Sequence, residues 1–128
     1  FAVERQPWEK AVSMYFWLNQ INSKDIDQYK NFDDWIRRAP NLNSDDYQHY
    51  NNLADKVYRY ENLQPLFEDL KNLFDIDIKQ NFENTWCKYY LRPDWKQFYK
   101  NEENVFIIQE RFKDSIEYMD YKFEEFYG

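Results

Sequence analysis

The sequence predicts a helix-rich α/β fold, and three observations lead to it. Apolar residues recur at spacings of three and four in four separate segments, the signature of amphipathic helices. Only two runs read as strands, Phe1–Glu4 and Val57–Tyr60. Both are short, and two such strands make no free-standing sheet of any stability. Helices therefore predominate.

Taken in order, Phe1–Glu4 is a β-like run that passes through Pro7 into a helix over about Trp8–Ile21. Trp8, Ala11, Val12, Tyr15 and Leu18 form its apolar face, and Pro7 sits in the first turn, where proline is best tolerated. Asn22–Lys30 is polar and reads as a loop or partial turn. Asn31 is a good N-cap for a short helix with Phe32, Trp35, Ile36 and Ala39 on one face, and Pro40 ends it. Asn41–Asn52 is polar and irregular, punctuated by Tyr47 and Tyr50. After the strand Val57–Tyr60, Leu63–Phe74 is the clearest helix, with Leu63, Leu66, Phe67, Leu70, Leu73 and Phe74 fitting the helical template. Asp75–Arg92 is ambiguous between loop and short helix. Asn101 caps a last helix whose buried stripe is Val105, Ile108, Phe112, Ile116 and Met119.

At 128 residues the chain amounts to one domain or less. Aromatics supply 22% of it, enough for a core, while the mean hydropathy of −1.05 stays polar. Seventeen Lys and Arg against 24 Asp and Glu give a net charge of −7. Such a chain is a poor generic binder of nucleic acid or anionic membrane, although two or three donors still suffice for one local anion site. The single cysteine, Cys87, excludes an intrachain disulfide and a cysteine-based metal site. No apolar run approaches the ~20 residues of a membrane span. The absence of an N-x-[S/T] sequon leans toward a cytoplasmic protein.

The run Glu4-Arg5-Gln6-Pro7-Trp8-Glu9-Lys10-Ala11-Val12-Ser13-Met14-Tyr15 carries the main chemical signal. Arg5 lies just ahead of a helix, where its planar fork and the free N–H groups of the first turn point at one spot. Ser13 stands roughly 7–8 Å along the axis from Trp8. A long arginine side chain and a helical hydroxyl at that separation can meet on one bound anion. Lys10 reads as half of a solvated ion pair, and Glu4 as a residue that orients Arg5 or lies at a strand edge. Glu61, at a strand-to-helix turn, reads as a capping residue. His49, in a polar loop, reads as solvent-exposed. The adjacent pairs Asp45/Asp46 and Glu102/Glu103 do not have metal-ligand spacing. Lys88, Arg92 and Lys96 read as surface cations.

The same run resembles the 3′-phosphate-binding motif of the sulfotransferases that use 3′-phosphoadenosine-5′-phosphosulfate (PAPS), R-N-P-[aromatic]-[D/E]-[R/K]-x-x-S-x-Y. The matching positions are Arg5, Pro7, Trp8, Glu9, Lys10, Ser13 and Tyr15, with Gln6 in place of the usual asparagine. Downstream, Lys56-Val57-Tyr58-Arg59-Tyr60-Glu61-Asn62-Leu63 looks like that family's V-x-R-[Y/F]-E-x-L junction. Arg111–Ile116 followed by Tyr121-Lys122-Phe123 resembles its closing helix and terminal Y-x-F.

The resemblance implies a P-loop NTPase-like sulfotransferase fold, with this chain as its mostly helical C-terminal part. It implies transfer of a sulfuryl group from PAPS to an acceptor hydroxyl or amine, on a carbohydrate or another hydroxyl compound. Arg5 and Ser13 would bind the 3′-phosphate, and no metal is implied. The family's phosphosulfate-binding loop has no counterpart, because the one glycine is Gly128. That loop's lysine and the catalytic base are therefore expected upstream of residue 1, and the chain alone is expected to be inactive. Two other classes stay open: a non-catalytic helical interaction module, and a degenerate sulfotransferase relative kept for binding.

Overall fold

In the computed structural model, strand β1 (Ala2–Glu4) runs almost directly into helix α1 (Pro7–Gln20). Residues 1–21, 24, 26–39, 47–50, 53–75 and 94–127 are described, with the side chains of 48 and 49 excepted. Helix α2 (Phe32–Arg38) and the single turn α3 (Tyr47–Tyr50) precede β2 (Val57–Arg59), which leads to α4 (Gln64–Phe74). A 3-10 helix at Trp95–Tyr99 is followed by α5 (Glu102–Arg111), α6 (Lys113–Met119) and α7 (Phe123–Tyr127).

The two strands pair in parallel, with Ala2 opposite Val57, Val3 opposite Tyr58 and Glu4 opposite Arg59. Parallel neighbours require a crossover, and α1 to α3 supply it. The described chain is thus mostly helical with two short parallel strands, compatible with a small α/β fold.

Local chemistry explains where the helices start. Pro7 occupies the first turn of α1, and the Gln6 side chain caps it by accepting the Glu9 N–H at 2.9 Å. In α2 the Asn31 side chain accepts the Asp34 N–H at 2.9 Å. Asp33 and Asp34 in its first turn, and Arg37 and Arg38 in its last, complement the helix dipole. Ala39 is extended, as a residue before proline should be. Helices α4 and α6 end on aspartates in the left-handed region, Asp75 (φ 53°) and Asp120 (φ 54°), a conformation that Asp tolerates better than most residues. Asp69 of α4 ties that helix to the sheet, accepting from Lys56 Nζ at 2.6 Å and from the Tyr58 hydroxyl. The Lys56 ammonium, then the Tyr58 hydroxyl, hold Asp69 below the usual carboxylate range.

The core lies where α1 packs against the 3-10 helix and α5, with α2 laid across α5. Trp8, Ala11, Val12, Phe32, Trp35, Ile36, Tyr99, Ile108 and Phe112 are all buried there. Much of the contact is aromatic. Phe32 meets Tyr15, Phe98 and Tyr99 edge-on at centroid distances of 5.6, 5.0 and 5.9 Å, a geometry worth about 0.5–1.5 kcal/mol per pair beyond area burial.

Three features depart from the sequence expectation. The polar stretch read as irregular contains the helical turn α3, which buries Tyr50 against α6. Helix α4 forms as expected, but only Leu66 of its apolar stripe is buried, and Leu73 and Phe74 stay 73% and 64% exposed. The last helix is broken at fully buried Phe112 (φ −114°, ψ 30°) into α5 and α6. In the second segment Ser115 is buried, while Ile116 and Met119 of the expected stripe pack half-buried against the core. Of the ambiguous segment Asp75–Arg92, only Asp75 is described; residues 76–92, with Cys87, Lys88 and Arg92, lie outside the described residues, as do Pro40, Asp45 and Asp46 and the side chain of His49.

Candidate functional site

Arg5 and Ser13 both lie on the strand-to-helix unit β1–α1, but no contact joins them. Arg5 is the residue before the N-cap. Its Nη2 donates to Glu9 Oε1 at 2.5 Å, and its guanidinium lies 4.7 Å from the centroid of the Tyr60 ring. Its Nε is buried without a hydrogen-bond partner among the described residues. Ser13 is half-buried on α1, one helical turn beyond Glu9 and on the same face. Its hydroxyl has no partner among the described residues.

Glu9 matches the motif by type, yet sequence reasoning gave it no role. The signal was present: residue 9 is four beyond residue 5, within reach across the start of the helix. Tyr60, the floor beneath the guanidinium, comes from the loop after β2 and no local pattern could have placed it there.

Behind Arg5 sits a buried polar cluster. Glu4 is 2% exposed. Its Oε1 accepts from Lys10 Nζ and from the Arg5 N–H, both at 3.0 Å, and its Oε2 accepts from Ser115 Oγ at 3.3 Å. The Lys10 pair is therefore largely buried, with side chains 17% and 3% exposed, and not the solvated pair its position suggested. Burial changes the meaning of the contact, because water no longer screens it.

Glu61 does cap a helix, but that helix is α1 and not its own. Its Oε1 accepts the Gln6 N–H at 2.5 Å, and its Oε2 accepts from the Tyr121 hydroxyl at 2.9 Å. The Glu4 carbonyl lies an equal 2.9 Å from the same hydroxyl. Burial, then the Glu61 carboxylate alongside, push the Tyr121 phenol well above its usual pKa, so it remains a donor. Arg59 completes the assembly: its Nη2 donates to the carbonyls of Met119 at 2.7 Å and Asp120 at 3.1 Å, closing the end of α6. Its guanidinium lies 4.6 Å from the Tyr121 ring centroid.

The three sequence motifs thus converge in space on the β1–α1 junction. Glu61 and Arg59 of the second meet Tyr121 of the third, and both reach the backbone beside Arg5. The remaining candidates do not join them. Glu102 and Glu103 are exposed in the first turn of α5, where Glu103 pairs with Arg37 at 3.3 Å. Lys96 is half-buried in the 3-10 helix.

On the other side of Trp8, a cleft of about 610 Å³ opens between α5, the 3-10 helix and α7. Trp8, Tyr99, Phe106, Phe123 and Tyr127 line it, with Lys100, Glu102, Lys122 and Glu124 around them. The Trp8 Nε1–H and the Tyr99 hydroxyl spend their hydrogen bonds inside the protein, on the carbonyls of Val105 (3.3 Å) and Trp8 (2.6 Å).

Among the described residues, no helix is long and apolar enough to cross a membrane. Compared with known protein families, with curated proteins and with solved structures, the chain matches none.

Proposed function

We propose that this chain is the 3′-phosphate-binding part of a PAPS-dependent sulfotransferase, with Arg5 and Ser13 as the phosphate ligands. The observation that carries the proposal is the state of Arg5. Its guanidinium stands at the N-terminus of α1, braced on the Tyr60 ring and already holding a carboxylate oxygen, with a buried Nε left over. That is a fork prepared for a tetrahedral or planar oxyanion.

Bound PAPS would supply the sulfuryl group, and the chain's own residues would supply position. The Arg5 guanidinium would neutralise the 3′-phosphate and Ser13 Oγ would donate to it. The Glu61 carboxylate and the Tyr121 hydroxyl fix the backbone on which both depend. Sulfuryl transfer relies on such fixed, preorganised charge. The acceptor would be a hydroxyl or amine compound, and no metal is needed. With Gly128 as its one glycine, the chain builds no glycine-rich cradle for the transferring group. Sulfuryl transfer by these 128 residues alone is therefore not expected.

Calorimetric titration tests this. Adenosine 3′,5′-bisphosphate should bind at micromolar concentration, with 5′-AMP at least about tenfold weaker. Arg5→Ala should weaken the bisphosphate by about 10- to 100-fold, the worth of a charge-assisted hydrogen bond. Equal binding of both nucleotides, or indifference to Arg5→Ala, contradicts the assignment.

A second reading is favoured by the exposed apolar groups Leu73, Phe74 and Phe106. In it the helices form an interaction module, or a non-catalytic sulfotransferase relative, that docks on a partner through those groups. It predicts no response to any adenine nucleotide.

A further inference from the structure

We propose that Glu9 is an internal anion that occupies the Arg5 fork and is displaced when a phosphate binds, and so sets the affinity of the site. The inference rests on the assignment of Arg5 and Ser13 as phosphate ligands and adds a competitor to it. Glu9 lies one helical turn before Ser13 on the same face of α1, and it touches Arg5, which precedes the N-cap, so its carboxylate stands on the ground a shared phosphate must take. Glu9 Oε1 lies 2.5 Å from Arg5 Nη2, with side chains 23% and 21% exposed.

The carboxylate uses the fork only in part, since Nε is left buried without a partner among the described residues. A phosphate oxygen pair can take Nε and Nη2 together, the bidentate arrangement that a single carboxylate oxygen on Nη2 does not reach. The Tyr60 ring, 4.7 Å away, holds the guanidinium plane while the anions exchange. Displaced Glu9 remains in the first turn of α1, where the helix dipole favours a negative charge. The exchange therefore swaps one anion for another at the same cation, and the net affinity is the difference between them.

The test compares wild type, Glu9→Gln and Arg5→Ala in titrations with adenosine 3′,5′-bisphosphate and with inorganic phosphate. Binding is followed by calorimetry and by the NMR resonance of the Arg5 Nε–H. Glu9→Gln should bind the bisphosphate about two- to fivefold more tightly, as expected for release of a partly exposed ion pair. In wild type the Arg5 Nε–H resonance should shift on binding, which reads the exchange without any mutation. Unchanged or weaker binding by Glu9→Gln, with Arg5→Ala still impaired, overturns the competitor role and leaves the phosphate site standing. An Nε–H resonance that stays put while the bisphosphate binds also overturns it. If neither probe binds any of the folded proteins, both assignments fall.

Discussion

Glu4→Ala will destabilise the chain by about 3–5 kcal/mol, because it strips one partner from a buried charge pair. The sequence reads it as orienting Arg5 or lying at a strand edge, but its side chain is 3% exposed and its oxygens serve Lys10, Ser115 and the Arg5 N–H. Alanine takes that acceptor away from Lys10, Ser115 and the Arg5 N–H. Lys10 is itself 17% exposed, so its flexible stem can carry the charge toward water, and the loss should fall at the lower end of the range. With 128 residues the chain falls between the size classes that shift by about 4–8 °C and about 2–4 °C per kcal/mol, so thermal unfolding should drop by about 10 °C. Replacing both partners, as Glu4→Leu with Lys10→Met, should recover much of the loss, since an apolar pair of similar volume asks for no compensation. A single mutant within about 1 kcal/mol of wild type would mean that the pair is effectively solvated.

Trp8→Ala will cost about 3–5 kcal/mol, the range for truncating a buried tryptophan. Trp8 is 1% exposed, meets Phe123 edge-on at 5.3 Å and donates to the Val105 carbonyl. One face of it belongs to the aromatic cleft. The vacated space therefore joins a region that water already enters, which again points to the lower end. The loss has a direction, because Phe123 also stacks on Tyr127 at 4.8 Å. Amide hydrogen exchange should show α7 opening before α2, whose contacts with α5 do not run through Trp8. Uniform loss of protection across all helices would contradict that order.

The parts of this fold that were legible in the sequence are those governed by neighbours along the chain. Helix α1 runs from Pro7 to Gln20, one residue off the predicted span at each end, because a first-turn proline and an apolar stripe are local signals. The Asn31 and Asn101 caps were legible for the same reason, and both side chains accept from the first turn as expected. What was not legible depends on partners far away. Glu4 is buried because Ser115, 111 residues on, turns toward it at the Phe112 break. Nothing in the helical period of Val105 to Met119 announces that break, since it contains neither proline nor glycine. The parallel register of β1 and β2, and the placing of Tyr60 under Arg5, are likewise set by long-range pairing.

The candidate site divides along the same line. Arg5 and Ser13 could be read together as a candidate because both sit on one strand-to-helix unit, although no contact joins them. The carboxylate between them was passed over, since a glutamate in the first turn of a helix has an ordinary explanation in the dipole. That Glu61 and Tyr121 brace the unit could be anticipated only as the order of three motifs, not as contacts.

The most direct measurement is a crystal structure of the chain with adenosine 3′,5′-bisphosphate. The 3′-phosphate oxygens should lie within about 2.7–3.2 Å of the Arg5 guanidinium and Ser13 Oγ, with Glu9 moved off the fork. A nucleotide lodged instead in the cleft between Trp8 and Phe123, with Arg5 still holding Glu9, would contradict the assignment of the 3′-phosphate site.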